Sequence, residues 1–225
     1  MIISRFISGI HQGGKILCVF GLVAVIGNLG VSTLDGQALR APADPGLVWR
    51  VFEKSVNPQL PTYQAGRIDF DGQVMTFIVP LGYLTNGDKA KSQFQLTSQE
   101  SASATIMNFI SGKNLKATPV KERMESTREK LNRIEAEPAI VRFNALGKSV
   151  DAFEYVYTGG SGANRSSLKV LHGYVPFGEG AIEVIIRAPM IHYEMARQEI
   201  DLFFMSSMIG DIKNPPTIPE LGTEI

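Results

Sequence analysis

Hydrophobic and polar positions alternate most regularly between Ser167 and Met208, and the stretch reads strand, turn, strand, helix. In its first strand Leu168, Val170, His172 and Tyr174 take one face, and Lys169, Leu171, Gly173 and Val175 the other. In the next, Ile182, Val184 and Ile186 oppose Glu183, Ile185 and Arg187. Alternation of this kind marks a strand, because successive side chains point to opposite faces. After Pro189, which suits a first helical turn, the period lengthens: Tyr193, Ala196, Ile200, Phe203, Phe204 and Ser207 share one side of a helix. The stretch implies a sheet with a helix packed across one face.

The same reading applied upstream predicts a β-rich body. Ile68–Phe70 and Val74–Val79 flank Asp71-Gly72, a tight-turn dipeptide, and Pro80 ends the second strand because it has no N–H for a ladder. Phe94–Thr97 reads as a strand, whereas Ser103–Ile110 fits strand or helix. Thr118-Pro119 opens a charged helix with a thin apolar stripe, Val120, Met124, Leu131 and Ile134. Two strands follow, Ala139–Leu146 and Ser149–Thr158, with Gly147-Lys148 as their turn and Phe153, Tyr155 and Tyr157 on one face. Asp44-Pro45 with Val48, Phe52 and Val56 predicts a short helix containing Trp49. The residues after Gly210 are proline-rich and aperiodic, which predicts an extended or flexible tail.

The N-terminus reads as an address. Arg5 and Lys15 precede an uncharged run, Ile16–Val31, and Gly36-Gln37-Ala38 is a candidate cleavage site. Two readings stay open: a cleaved secretory signal, or an uncleaved anchor through residues 16–31. Either places the rest of the chain outside the cytoplasm, periplasmic or otherwise extracytoplasmic. The resulting division is 1–38 signal or anchor, 39–66 lead-in, 67–208 folded domain and 209–225 tail.

Composition narrows the chemistry. Lys plus Arg and Asp plus Glu both number 22, so the chain lacks the basic excess a general nucleic-acid binder needs. Cys18 is the sole cysteine, which excludes disulfide scaffolds and cysteine metal sites beyond the apolar run. His172 and His192, with Glu194 nearby, are too few to predict a metal centre. The Gly159–Asn164 loop lacks the Gly-Lys-Ser/Thr ending of a phosphate cradle, and no Gly-x-Ser-x-Gly elbow is present. Asp151 and Glu154 point to opposite faces of their strand, which disfavours joint acid–base work. The expectation is a protein without catalytic residues, cofactor or metal.

The order of elements, together with Phe77, Val79, Pro80, Gly82 and Tyr83 in a Phe-x-Val-Pro-x-Gly-Tyr strand, resembles the PsbP-like and DcrB-like α/β sandwiches over about residues 67–208. The resemblance implies an α+β fold, an antiparallel sheet flanked by helices. It also implies a mostly non-enzymatic role, since the family holds extrinsic lumenal subunits, envelope lipoproteins and chaperone-like modules. This chain departs from the lipoproteins, because Cys18 lies near the start of its apolar run and not at the end. The expected function is an exported binding or assembly protein with a protein partner at or near a membrane, an accessory subunit or chaperone-like module. Two alternatives stand beside it: a small-molecule or lipid carrier, lined by Phe153, Tyr155 and Tyr157, and a hydrolase with an unrecognised site. Trp49, Phe52, Pro215 and Pro216 are the candidate partner contacts, since they lie outside the predicted sheet core; Trp49 could equally plug the core's edge.

Overall fold

The computed structural model describes residues 46–55, 62–131, 134–135, 138–159 and 166–217. The predicted signal or anchor, most of the glycine loop and the end of the tail lie outside the described residues. Ten of the strands follow the order β1 (Val48–Lys54), β2 (Tyr63–Phe70), β3 (Gln73–Ile78), β4 (Tyr83–Asp88), β5 (Gln93–Ser98), β6 (Ser103–Ile110), β7 (Ala139–Ala145), β8 (Lys148–Gly159), β9 (Ser166–Phe177) and β10 (Gly180–Pro189). Helix α1 (Val120–Lys130) precedes β7; helix α2 (Tyr193–Ser206) and strand β11 (Met208–Asp211) follow β10. The fold is a sheet-rich α+β arrangement in which every strand pairing is antiparallel.

There are two sheets among the described residues where the sequence suggests one: a four-stranded sheet in the order β1-β2-β3-β11 and a seven-stranded sheet in the order β4-β5-β6-β10-β9-β8-β7. The inner face of the larger sheet meets the smaller sheet and α2 in one core. Ile68, Met75 and Phe77 come from the small sheet, Phe94, Met107, Phe143 and Val184 from the large one, and Ile200, Phe203 and Phe204 from α2. Phe77 touches all three layers: it lies in β3, 5.4 Å from Phe94 and 5.3 Å from Phe203 between ring centroids. Its ring stands directly over Gly66, where an added Cβ would sit 2.3 Å from the ring's Cζ.

Local rules explain most elements. The Asp71-Gly72 turn joins β2 to β3 with φ near +49° and +76°, values that match the twist of a tight hairpin. The β7–β8 turn falls one residue earlier than expected, on Leu146-Gly147, with Ala145 paired to Lys148. Residues 103–110 resolve to strand, as their β-branched content favours.

Two expectations are corrected. Val48–Lys54 is a strand and not a helix: all seven residues pair with β2, from Val48↔Asp69 to Lys54↔Tyr63. Leu47, Trp49 and Val51, alternate positions, face the core, so a period of two overrides the helical spacing of Val48 and Phe52. The second correction concerns the tail. Met208–Asp211 pairs with β3, Met208 opposite Thr76 and Asp211 opposite Gln73, and Ile212 N–H donates to the Gly72 carbonyl at 3.0 Å. The segment carries a short apolar pair, Met208-Ile209, too brief for a period to show.

Polar contacts fix how α2 lies. Glu154 of β8 accepts hydrogen bonds from Tyr193 Oη at 2.7 Å, from Lys169 Nζ at 3.0 Å and from Arg197 Nη1. Burial by itself raises the affinity of Glu154 for a proton, but these donors and cations outweigh it and hold the carboxyl below its ordinary range. On the other side Tyr83 Oη donates to Glu199 Oε2 at 2.7 Å, and burial first, with Glu199 adding to it, pushes the phenol up to about 12.

Overpacking in a dense core costs about 1–3 kcal/mol and truncation of a buried phenylalanine about 3–5. Gly66→Ala should therefore lower unfolding free energy by about 2 kcal/mol in urea melts, and Phe77→Ala by about 4. In the Phe77→Ala background most of the Gly66→Ala cost should vanish, because the ring it collides with is gone. Additive losses would show that the contact does not matter.

Candidate functional site

The outer face of the seven-stranded sheet carries the most organised polar cluster. The registers place Gln93, Asn108, Glu183 and Tyr174 directly opposite one another across β5, β6, β10 and β9. Because alternate residues share a face, His172 stands beside Tyr174. Hydrogen bonds run along this row: Gln93 Nε2 to Asn108 Oδ1 at 2.8 Å, and Asn108 Nδ2 to Glu183 Oε2 at 2.7 Å. Glu183 Oε1 accepts from Tyr174 Oη at 2.7 Å and from His172 Nε2 at 2.8 Å, so that ring nitrogen carries the proton.

Burial alone would raise Glu183, but the hydrogen bond and charge of His172, then Asn108 and Tyr174, hold it at about 2. Both its oxygens are occupied, and so weak a base does not accept a proton near neutral pH. Tyr174 is pushed well above the ordinary phenol range, by burial first and then by the Glu183 charge. Among the described residues no hydroxyl is hydrogen-bonded to His172. The row is an ordered set of hydrogen bonds gathered on one carboxylate.

Helix α1 lies on this face beside the row. Val120 and Met124 of the helix pack against Phe153, Tyr155 and Val170 as expected; Leu131 and Ile134 pack there too, but from beyond the helix, which ends at Lys130, and Ile134 bridges Tyr157 as extended chain. Rings continue from there into the row: Tyr155 lies 6.0 Å from Phe153, Phe153 5.0 Å from His172, and His172 5.6 Å from Tyr174. Arg123 of α1 caps this series, its Cζ 4.1 Å above the Tyr174 ring centroid. Between α1, the segment leading into it and the sheet opens a cleft of about 360 Å³, lined by Ile110, Leu115, Lys116, Arg123, Lys130 and Tyr174 among others.

The residues expected to matter fall elsewhere. Trp49 stands edge-on to Phe94, ring centroids 5.6 Å apart, with its Nε1 over Gly87; it packs the core's edge. Phe52 is half-buried in β1. Pro215 is exposed, and Pro216 lies against Gly210, next to Thr217, whose carbonyl accepts from Thr76 Oγ1 at 3.4 Å. β1 and β11 are opposite edges of the small sheet, so the structure does not bring these four residues together. Phe153 and Tyr155 are packed beneath α1 and do not line its cleft. His192 sits in the turn Met190–His192, apart from the row. Among the described residues no group of three or more His, Cys, Asp or Glu is placed to hold a metal ion, and no helix is long and apolar enough to cross a membrane.

Sequence reasoning missed the row. The signal was present in the alternation: His172, Tyr174 and Glu183 fall on the strand faces opposite Leu171, Val184 and Ile186, so polar groups had to gather on one side of the sheet. What alternation omits is register, which decides that Asn108 and Tyr174 both stand opposite Glu183. Comparison with protein-family models and with curated proteins finds no match for the chain.

A folded-state value near 2 against an ordinary 4.5 means that Glu183 stabilises the fold above about pH 4.5 and loses that contribution as pH falls towards about 2. Between about pH 6 and about pH 3 the wild type should lose roughly 2 kcal/mol more than Glu183→Gln, read from denaturant melts at each pH. Parallel losses in the two proteins would show that Glu183 is not held in this way.

Proposed function

We propose that the chain is an exported, non-enzymatic binding and assembly protein, an accessory subunit or chaperone-like module that holds a protein partner at or near a membrane. The Ile16–Val31 run supports export, and the sheet-rich α+β fold agrees with a PsbP-like or DcrB-like sandwich as the finer architecture.

One observation carries the docking role. Helix α2 is apolar on two sides. Tyr193, Ala196, Ile200, Phe203 and Phe204 are buried, yet Met195, Leu202 and Met205 form a second line facing solvent, with Ile191 just before it. Leu202 is 64% exposed, Met205 73% and Ile191 86%. On a helix that already buries one apolar stripe, an exposed second line of this length marks a contact surface. The charges beside the line select its occupant. Glu194, Glu199 and Asp201 are acidic; Lys169 reaches Glu194 at 3.2 Å, but the helix's one cation, Arg197, is shared between Glu154 and Asp201, so acid exceeds base along the helix. The partner is therefore an amphipathic helix whose apolar face is bordered by Lys or Arg.

A photo-cross-linking residue at Leu202 or Met205 of the full chain should give one discrete adduct from the membrane fraction, mapping to a basic-flanked helix of another protein. With the cross-linking residue kept at Leu202, Met195→Glu together with Met205→Glu should abolish it, and a cross-linker at Lys89 should not form it. Adducts only with a second copy of this chain, only with lipid, or none at all would overturn the assignment.

A further inference from the structure

The cleft beneath α1 contains a cation that the fold leaves unanswered. Arg123 Nε is enclosed and has no hydrogen-bond acceptor. Among the described residues no carboxylate lies within 4 Å of its guanidinium. Glu183, the acid of the row beside it, has both oxygens committed to His172, Tyr174 and Asn108. Its partner is the Tyr174 ring, which positions the guanidinium but accepts none of its hydrogen bonds in the plane. Burial accordingly lowers the proton affinity of Arg123, an unusual situation for an arginine that could have extended into water.

The surroundings complete a site. Lys116 and Lys130 line the same cleft as Arg123, and Ile110 and Leu115 give it an apolar side. Two acids also line it: Glu122 is solvent-exposed, and Glu183 has its oxygens taken up by His172, Tyr174 and Asn108. A volume of about 360 Å³ suits a small organic molecule. We propose that this cleft binds a small organic oxyanion, with the charged oxygens on Arg123 and the apolar body against Ile110 and Leu115. Guanidinium donors pair with carboxylate and with phosphate monoester alike, so the head group can be either. Tyr174 acts as a positioning residue: its ring holds Arg123, and its hydroxyl is itself held by Glu183. The cleft lies on the outer face of the seven-stranded sheet and α2 on the inner, so the site is independent of the docking line.

Titration calorimetry on the full chain tests this with three probes of similar body: benzoate, phenyl phosphate and the neutral benzamide. One or both anions should bind saturably, and benzamide at least about tenfold more weakly. Arg123→Gln should weaken the anion by at least about tenfold, and Arg123→Lys should retain part of the affinity. The stronger of the two anions assigns the head group. Anions that bind no better than benzamide, that fail to saturate, or that bind unchanged to Arg123→Gln would overturn the site. The comparison of charged and neutral probes on the wild type decides the matter even where a variant is poorly folded.

Discussion

One ring-over-glycine contact sets the distance between the layers of this protein. Phe77 reaches Phe94 of the large sheet and Phe203 of α2 because its ring lies over Gly66, and any side chain at Gly66 would occupy the ring's place. Lifting the ring would separate two aromatic contacts together, since the interior is close-packed and has no slack to absorb the shift. The same device recurs at the edge, where Trp49 covers Gly87. In both places the small residue supplies the clearance and the aromatic one the buried area, so each pair works only as a pair.

That core settles which side of α2 faces inward, and a polar network settles its rotation. Glu154 gathers Tyr193, Lys169 and Arg197, and Glu199 takes the Tyr83 hydroxyl. A buried ion cluster of this sort adds little net stability compared with a well-packed apolar one, but removing one member strands the others. Its effect here is directional. With Arg197 turned inward and Tyr83 bonded to Glu199, the line from Met195 to Met205 must point outward. The exposed apolar face of α2 therefore follows from the internal contacts, and rotation cannot relieve it.

The chain's periodicity revealed the elements whose own sequences carry enough repeats. The Asp71-Gly72 hairpin, the paired strands β9 and β10 and the wide stripe of α2 are all of this kind. It failed where pairing came from distant partners. The spacing of Val48, Phe52 and Val56 reads as a helix in isolation, and the ladder of residues 48–54 with β2 overrides it. Met208–Asp211 is too short to show a period and becomes a strand because β3 offers a free edge. The polar row was half legible: alternation puts His172 and Tyr174 on one face, but the convergence of Asn108, Tyr174 and His172 on Glu183 depends on register between strands up to 75 residues apart. Arg123 could not be read at all, since nothing in a charged helix distinguishes an arginine that will lie on a ring from one that will face water.

The two helices are held by opposite means, and this separates their roles. α2 buries five residues and is tied by charge on both flanks, so it moves only with the core. α1 has no fully buried residue, rests on Phe153, Tyr155 and Val170 through a thin stripe, and covers a row whose hydrogen bonds are complete without it. Opening free energy tracks such buried contact, which makes α1 the helix that shifts at least cost. Arg123, whose Nε has no acceptor, belongs to this same helix. A ligand that supplies acceptors to Arg123 would satisfy this group, while the polar row beside it stays as it was. The two faces of the seven-stranded sheet thus differ: one carries the helix anchored in the core, and the other carries, among the described residues, the helix with the least buried contact.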